Sequence, residues 1–538
     1  MKVAVIASPY PLEEAPAPPL GISYVAAAFE AAGAEVEIFD YIVGRYSPEK
    51  LERQLEAFRP DVVGAGSVTL NYPPAAEILQ TVKRLNPEIF TVMGGPHVSF
   101  DAPNTLKTYP GIDLVVMGEG ERTIAELTAT GFDRKAFPAI RGIAYRENGS
   151  YRITEQREFI QDISTLPLPA RHLLPLSRYQ ALGFPISMIT SRGCPYQCIF
   201  CQGRRMVGGK IRQRKVESVV NEIEDILSYG FNRINIADDL FVSDRRKVKA
   251  VCDEINRRGL RFAWSAFARV NTVDPDTLKT MRDTGCDAVS FGVESGNQEM
   301  LDRIQKKITL AQVRKAVDMC KDAGLHVHCS FIVGLPGETQ DTLNDSREFA
   351  ESLEIDYGYH FLSPFPGTTV REKVDQYDLE ILSRDWTEYD ANRPIVRTSA
   401  LAPDDIARFV AEYDAEVERR WQIMLRRYRE GGNSPMDNLR VEGHYRTRLI
   451  YKILSGDLIE TEGFFPGARS PEETMRPLSE RVDQRTNSGI ELVEKLIREF
   501  AEKGYIKTRT AGGGLEWFWT RNNKDQLPVE SSIRDQIS

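Results

Sequence analysis

Short apolar runs separated by amphipathic stretches fill the first quarter of the chain. The runs Val3–Ser8, Val36–Tyr41, Val62–Val68, Phe90–Pro96 and Leu114–Gly120 have the length of buried strands. Between them, Ile22–Gly33 and Ala75–Asn86 carry apolar residues at helical spacing. Strands alternating with helices predict βαβ units and a parallel sheet over roughly residues 1–150. Ligands of such sheets sit at the carboxyl ends of the strands. The small and polar residues there, Ser8-Pro9, Ser67-Val68-Thr69, Gly94-Gly95-Pro96-His97 and Gly118-Glu119-Gly120-Glu121, form one candidate site.

The proline-rich stretch Gln161–Leu176 interrupts the pattern and predicts a bridge over roughly 151–185, without a long helix or central strand. Alternation then resumes at Ile186–Cys194 and continues through Ile234–Phe241, Phe262–Asn271, Ala288–Gly296, Val327–Gly337 and Tyr357–Gly367. Helical patterns such as Val216–Gly230 and Thr309–Gly324 separate these runs. Six strands predict a partial (β/α)6 barrel of the TIM type over roughly 186–375. Beyond it the chain becomes charged and helical, which predicts a mostly helical C-terminal domain over roughly 376–538. Its end, Ile490–Asn522, reads as a helix followed by a hairpin closed by glycines, a pattern like that of a winged helix.

A length of 538 residues calls for several domains. With 41% hydrophobic and 27% charged residues the chain has the balance of folded protein. Its net charge of -9 gives no general attraction to nucleic acid or anionic membranes, although a local basic patch can hide within that total. The winged-helix-like end is therefore read as a packing or substrate-covering appendage. No apolar stretch approaches the roughly 18–20 residues of a membrane span, and the first residues lack a secretory pattern, so a cytoplasmic protein is expected. Seven cysteines are too few for a disulfide framework in so long a chain. Cys252, Cys286, Cys320 and Cys329 stand alone in regular segments and read as packing residues.

The other three, Cys194, Cys198 and Cys201, follow a predicted barrel strand directly, at the end where barrel enzymes place chemistry. A closed iron–sulfur cubane needs four thiolates. Three leave one iron open to chelate a substrate, whereas tetrahedral zinc would need a fourth protein ligand.

This Cys-x-x-x-Cys-x-x-Cys spacing, with Phe200 before the last cysteine, resembles the signature of the radical S-adenosylmethionine superfamily. The resemblance implies a [4Fe-4S] cluster on Cys194, Cys198 and Cys201, whose open iron binds S-adenosylmethionine and splits it to a 5′-deoxyadenosyl radical. It further implies that Asp238 and Asp239 face the methionine amino group; Arg269, at the end of its strand, reads either as a charge-assisted donor to the carboxylate or as a surface ion pair. Glu294-Ser295 matches the ribose-binding segment, and Val333-Gly334 the segment whose backbone reads adenine. A Rossmann-like domain ahead of such a barrel resembles the cobalamin-binding subfamily. Ser67, Thr69, Gly94, Gly95, His97, Glu119 and Gly120 are then cobalamin contact candidates. No Asp-x-His-x-x-Gly segment is present to supply a lower axial histidine. His97, read as an exposed turn histidine, is expected to leave cobalt unligated.

The function implied is a C-methyltransferase acting on an unactivated C–H position of a small-molecule or lipid-like substrate. A low-potential donor such as flavodoxin or ferredoxin would reduce the cluster. An anaerobic oxidative, ring-forming cyclase is the nearest alternative. A cobalamin- or cluster-based DNA-binding sensor is the alternative of another class.

Overall fold

A computed structural model describes residues 1–522; the end of the predicted C-terminal domain, 523–538, lies outside the described residues. The first sheet is built from β1 (Lys2–Ala7), β2 (Glu35–Asp40), β3 (Val62–Gly66), β4 (Phe90–Gly94) and β5 (Leu114–Val116), all parallel. Two antiparallel strands extend it, β6 (Ile143–Glu147) and β7 (Ser150–Ile153), so the sheet runs slightly past residue 150. The spatial order is β2-β1-β3-β4-β5-β6-β7. The chain therefore changes direction across the sheet between β1 and β3, and at such a switch point the crossover helices diverge and open a crevice. Continuous apolar character in β1, buried from Val3 to Ala7, is what a strand covered by helices on both faces requires.

The bridge carries short 3-10 turns and one helix, Leu176–Leu182. It leads into β8 (Ile186–Met188) and a two-stranded ribbon, β9 (Ser191–Arg192) with β10 (Arg212–Gln213). The cysteine loop lies inside this ribbon. The barrel continues with β11 (Arg233–Ile236), β12 (Ala263–Ala268), β13 (Cys286–Glu294), β14 (His326–Val333) and β15 (Asp356–Phe361). These pair in parallel in the order β8-β11-β12-β13-β14-β15, an open six-stranded arc. Cys252, Cys286, Cys320 and Cys329 are buried in its packing layer.

After the barrel, β16 (Glu380–Ile381) and β17 (Val396–Arg397) form a small antiparallel pair. The helix Pro403–Arg429 covers the outer face of β15, where Phe409 and Tyr413 pack on Tyr359. Helices Pro435–Ser455, Pro471–Thr486 and Ile490–Glu502 then surround a sheet of β18 (Phe464–Pro466), β19 (Ile506–Ala511) and β20 (Gly514–Trp519), ordered β18-β20-β19. That sequence of elements is the connectivity of a winged helix. The module is tied to the bridge and first domain: the Ser177 and Thr520 hydroxyls lie 2.6 Å apart, and Asp457 accepts from Arg178 and Lys50. Among the described residues no helix is long and apolar enough to cross a membrane.

Candidate functional site

The carboxyl edge of the barrel and that of the first sheet face each other across the cysteine loop. Gln202, next to Cys201, donates to Pro366 O at 2.6 Å and to Pro96 O at 3.3 Å. Below it, Glu119 and Glu121 from the end of β5 reach across to the β9–β10 ribbon. Arg212 grips Glu119 with both terminal nitrogens, at 2.8 and 2.9 Å, and Arg192 reaches Glu119 at 3.0 Å and Glu121 at 2.6 Å. Burial pushes the Glu119 carboxyl up, but the two guanidiniums and the Ile160 N–H more than offset this and hold it below its ordinary value. A second buried cluster, Arg171–Glu222–Arg214, pins the same ribbon from the other side. Removing one member of such a buried pair costs about 3–5 kcal/mol, so the loop between β9 and β10 is held stiffly.

Within that loop Cys194, Cys198 and Cys201 are free thiols. Partial burial pushes the Cys194 thiol up, and the nearby Asp239 and Cys198 add to this. Among the described residues no three His, Cys, Asp or Glu side chains are gathered closely enough to hold a metal ion, the three thiols of this loop included. Arg269, at the end of β12, is nearly buried, stacks 3.5 Å from the centre of the Tyr196 ring, and donates to Cys198 Sγ at 3.8 Å. Its Nε and second terminal nitrogen have no partner, nor has the neighbouring Asn271 Oδ1. A buried guanidinium with unused N–H groups beside a thiolate loop fits a carboxylate-bearing ligand.

The other predicted S-adenosylmethionine contacts divide by how their polar atoms are spent. Asp238 is buried and accepts from Thr190 N, Thr190 Oγ1 and Ser191 Oγ at 2.6–2.7 Å, tying β8 to the ribbon. Both of its oxygens are engaged in these bonds, through which the residue positions the cysteine loop. Asp239 accepts from Gly193 N at 3.2 Å and stays exposed. Ser295 is likewise engaged, with Ser346 Oγ 3.2 Å away and the Asn297 N–H donating to it.

Glu294 ends β13 with φ at +77°, a conformation that costs a non-glycine residue about 1–3 kcal/mol and persists only where the surroundings impose it. Lys306, missed by the sequence reading, donates to Glu294 Oε1 at 2.6 Å and lies 5.8 Å from the centre of the Phe200 ring. Val333 is buried, and Gly334, at φ +86°, donates with Leu335 to Glu338 Oε2. Burial pushes the Glu338 carboxyl up to about 8, so that strand-end turn is held by a carboxyl largely protonated at neutral pH.

At the first sheet's edge, Ser8 follows β1 and Ser67 follows β3, flanking the switch point. Both hydroxyls are buried and without a partner. Gly95, at φ +110°, passes so close to this turn that an added Cβ would lie 2.3 Å from Ser67 O. Together they make a backbone cradle with unused hydroxyls, which fits a large ligand held by neutral hydrogen bonds.

Glu119 is engaged by two arginines and the Ile160 N–H and forms a strut to the barrel. One expectation for this edge, an exposed His97, is corrected. His97 is fully buried in the first turn of helix Pro96–Thr108, 3.8 Å from the Tyr72 ring in a stack and 4.7 Å from Trp386. Its Nδ1 lies 3.3 Å from Thr69 Oγ1, and burial lowers its proton affinity, so the ring is neutral. Thr69 is buried beside it, Gly94 ends β4, and Gly120 precedes helix Glu121–Ala129.

The barrel interior supplies residues that the sequence reading passed over. In β14 and β15 the pairs His328↔Asp356, Ser330↔Gly358 and Ile332↔His360 share a face. Val327, Cys329 and Phe331 are buried on the opposite face of β14, and Tyr357 and Tyr359 pack outward from β15. His328, Ser330, Ile332 and His360 thus look into the arc. Alternation at period two in these strands was the signal that locates them.

Comparison with known proteins places these features. Residues 188–350 match the Radical SAM superfamily, and residues 14–128 match the B12 binding domain. An uncharacterised methyltransferase of Pyrococcus horikoshii is 34% identical over 412 residues, covering 76% of this chain and 89% of that protein. The anaerobic magnesium-protoporphyrin IX monomethyl ester cyclase of Rubrivivax gelatinosus is 30% identical over 403 residues, covering 71% and 70%. The structure of the radical S-adenosylmethionine methyltransferase TsrM from Kitasatospora setae, with cobalamin and a [4Fe-4S] cluster bound, has the same fold. It superposes with a TM-score of 0.63 at 18% identity, over 93% of this chain and 99% of that one.

Proposed function

The chain belongs to the family of cobalamin-binding radical S-adenosylmethionine enzymes, and from that premise we propose that it reductively cleaves S-adenosylmethionine and methylates an unactivated C–H position of its substrate. When bound, the cluster supplies the electron that yields the 5′-deoxyadenosyl radical, and the cobalamin supplies the methyl group. The observation that carries this reading is the pairing of two unused donor sets on facing edges: Arg269 beside Cys198, and Ser8 with Ser67 at the switch point.

Each residue has a task in this reading. Cys194, Cys198 and Cys201 hold the cluster. Arg269 would neutralise the methionine carboxylate, Asp239 would receive the amino group, Glu294 would accept from the ribose hydroxyls, and the turn at Val333–Gly334 would hold adenine. Ser67, Thr69, Gly94, Gly95 and Gly120 line the cobalamin edge with small side chains and backbone donors. Asp238, Ser295 and Glu119 act through their neighbours. Lys306 holds the Glu294 carboxyl in place. His328, Ser330, Ile332 and His360 line the substrate space inside the arc, and their mixture suits a small molecule, or one end of a lipid-like one, that bears a hydrogen-bonding group.

The exposed Cys201 side of the loop is where a flavodoxin or ferredoxin would deliver the electron. Seven free cysteines fit a cytoplasmic setting. No nucleic-acid partner is required.

Similarity to the anaerobic cyclase favours ring formation as the second reading. Incubating the reduced protein with candidate metabolites and S-adenosylmethionine labelled in its methyl group separates the two. A product carrying the labelled methyl is expected. A product that has lost hydrogens and gained no label would replace methyl transfer with cyclisation.

A further inference from the structure

Helices Pro403–Arg429 and Pro435–Ser455 form a hairpin whose turn end stands clear of the protein. The buried residues of the first helix stop at Val410, and no residue from 411 to 440 is buried. Yet this end carries apolar side chains in water: Val417 is 45% exposed, Met436 62% and Leu439 64%.

Ile423, also exposed, has an arginine at each of its four helical neighbours, Arg419, Arg420, Arg426 and Arg427. The first two share Glu416. Arg426, Arg427 and the following Arg429 have no ion-pair partner among the described residues. From 416 to 440 six arginines face four carboxylates, whereas the whole chain carries -9. The charge of this end is therefore opposite in sign to that of the rest.

We propose that the turn end of this hairpin docks the enzyme onto an anionic membrane surface. Arg426, Arg427 and Arg429 pair with lipid phosphates while Ile423, Met436 and Leu439 enter the headgroup boundary. A basic, apolar-tipped amphipathic element of this kind lies in the interface plane, and lipid rewards both kinds of side chain. A nucleic acid would reward only the arginines. The exposed face of helix Ile490–Glu502, with Glu491, Lys495, Arg498 and Glu502, is mixed in charge and does not extend the patch toward the wing. The inference stands independently of the reaction proposed above and makes the membrane surface the place where the enzyme works.

The test is co-sedimentation of the full chain with phosphatidylcholine vesicles, with and without phosphatidylglycerol. Binding is expected only with phosphatidylglycerol, and it should weaken as salt rises. At roughly fivefold per arginine, Arg426→Gln/Arg427→Gln should bind about twenty-five-fold more weakly. Ile423→Ser/Leu439→Ser should also bind more weakly but keep the salt dependence. Circular dichroism and iron content of both variants should match the unsubstituted protein. Equal binding to both vesicle types, undiminished binding of the arginine variant, or no vesicle binding, with or without duplex-DNA binding or dimerisation through Ile423, would overturn the proposal.

Discussion

At the carboxyl edge of the first sheet the buried atoms left without hydrogen-bond partners include the hydroxyls of Ser8 and Ser67, with His97 Nε2 and Glu121 Oε2, whereas at the barrel edge they include two guanidinium nitrogens of Arg269, with Asn271 Oδ1, Glu338 Oε1 and Ser363 Oγ. Both edges end parallel strands, and both are ligand sites by topology. Their unspent atoms differ in kind. The first edge offers neutral hydroxyls and a glycine cradle; its Glu119 is held by Arg192 and Arg212, and its Glu121 gives one oxygen to Arg192 and keeps the other unpaired. The barrel edge keeps a guanidinium with free N–H groups and a carboxylate braced by Lys306. An unpaired buried polar group costs about 1–3 kcal/mol, so Arg269 at the barrel edge and the Ser8 and Ser67 hydroxyls at the first edge are groups that a ligand there would satisfy. The lesson is that the first edge is fitted to a bulky ligand held by shape and neutral hydrogen bonds, the second to a small zwitterion.

The largest effect that would break this contrast is at the cysteine loop. Cys198→Ala should remove a cluster ligand and the acceptor of Arg269, abolishing 5′-deoxyadenosine formation. Iron should fall from about four per reconstituted chain. Full activity with unchanged iron would remove the barrel edge from the account.

Next comes the strut between the edges. Glu119→Gln should cost about 3–5 kcal/mol in thermal or denaturant unfolding, because the buried Arg212 guanidinium loses its counter-ion and Arg192 keeps only Glu121. The Glu119 carboxyl is held below its ordinary value of 4.5 in the fold, so its contribution is fully present above that pH. The gap between variant and parent should therefore narrow as pH falls below 4.5 through the folded value. A gap of under about 1 kcal/mol at neutral pH would class Glu119 with the ligand contacts again.

Arg269→Ala should weaken S-adenosylmethionine binding by about ten- to a hundredfold, the worth of charge-assisted hydrogen bonds, with iron content retained. Equilibrium binding measures this directly, and unchanged affinity would move the carboxylate contact elsewhere. Ser67→Ala should act only when the first edge is filled. Its hydroxyl has no partner in the fold itself, so stability without cobalamin should hold or rise slightly, while cobalamin affinity should fall about fivefold. Equal destabilisation with and without cobalamin would make Ser67 a structural residue.

Much of this was legible in the chain. Period and spacing gave both sheets, because parallel strands buried on two faces read as short apolar runs, and the cysteine loop announced itself by spacing. What stayed hidden is pairing across long separations. Nothing in Gly-Glu-Gly-Glu says that Glu119 meets Arg212, 93 residues on, or that Asp238 caps Thr190 rather than a ligand. His97 looked exposed because a Gly-Gly-Pro turn usually lies in water; here Trp386, from beyond the barrel, closes over it. The final strands β6 and β7 were missed because their antiparallel return breaks the βαβ rhythm.

The central claim is that one chain holds a three-cysteine cluster on its barrel edge and, on the facing edge, a cobalamin without a histidine ligand. Electron paramagnetic resonance of the reduced, cobalamin-loaded protein tests both edges in one sample. The account predicts a single [4Fe-4S] signal together with a base-off cob(II)alamin signal that shows no nitrogen splitting and is unchanged in His97→Ala. A nitrogen ligand that disappears in His97→Ala, or a protein that retains no cobalamin at all, would contradict it.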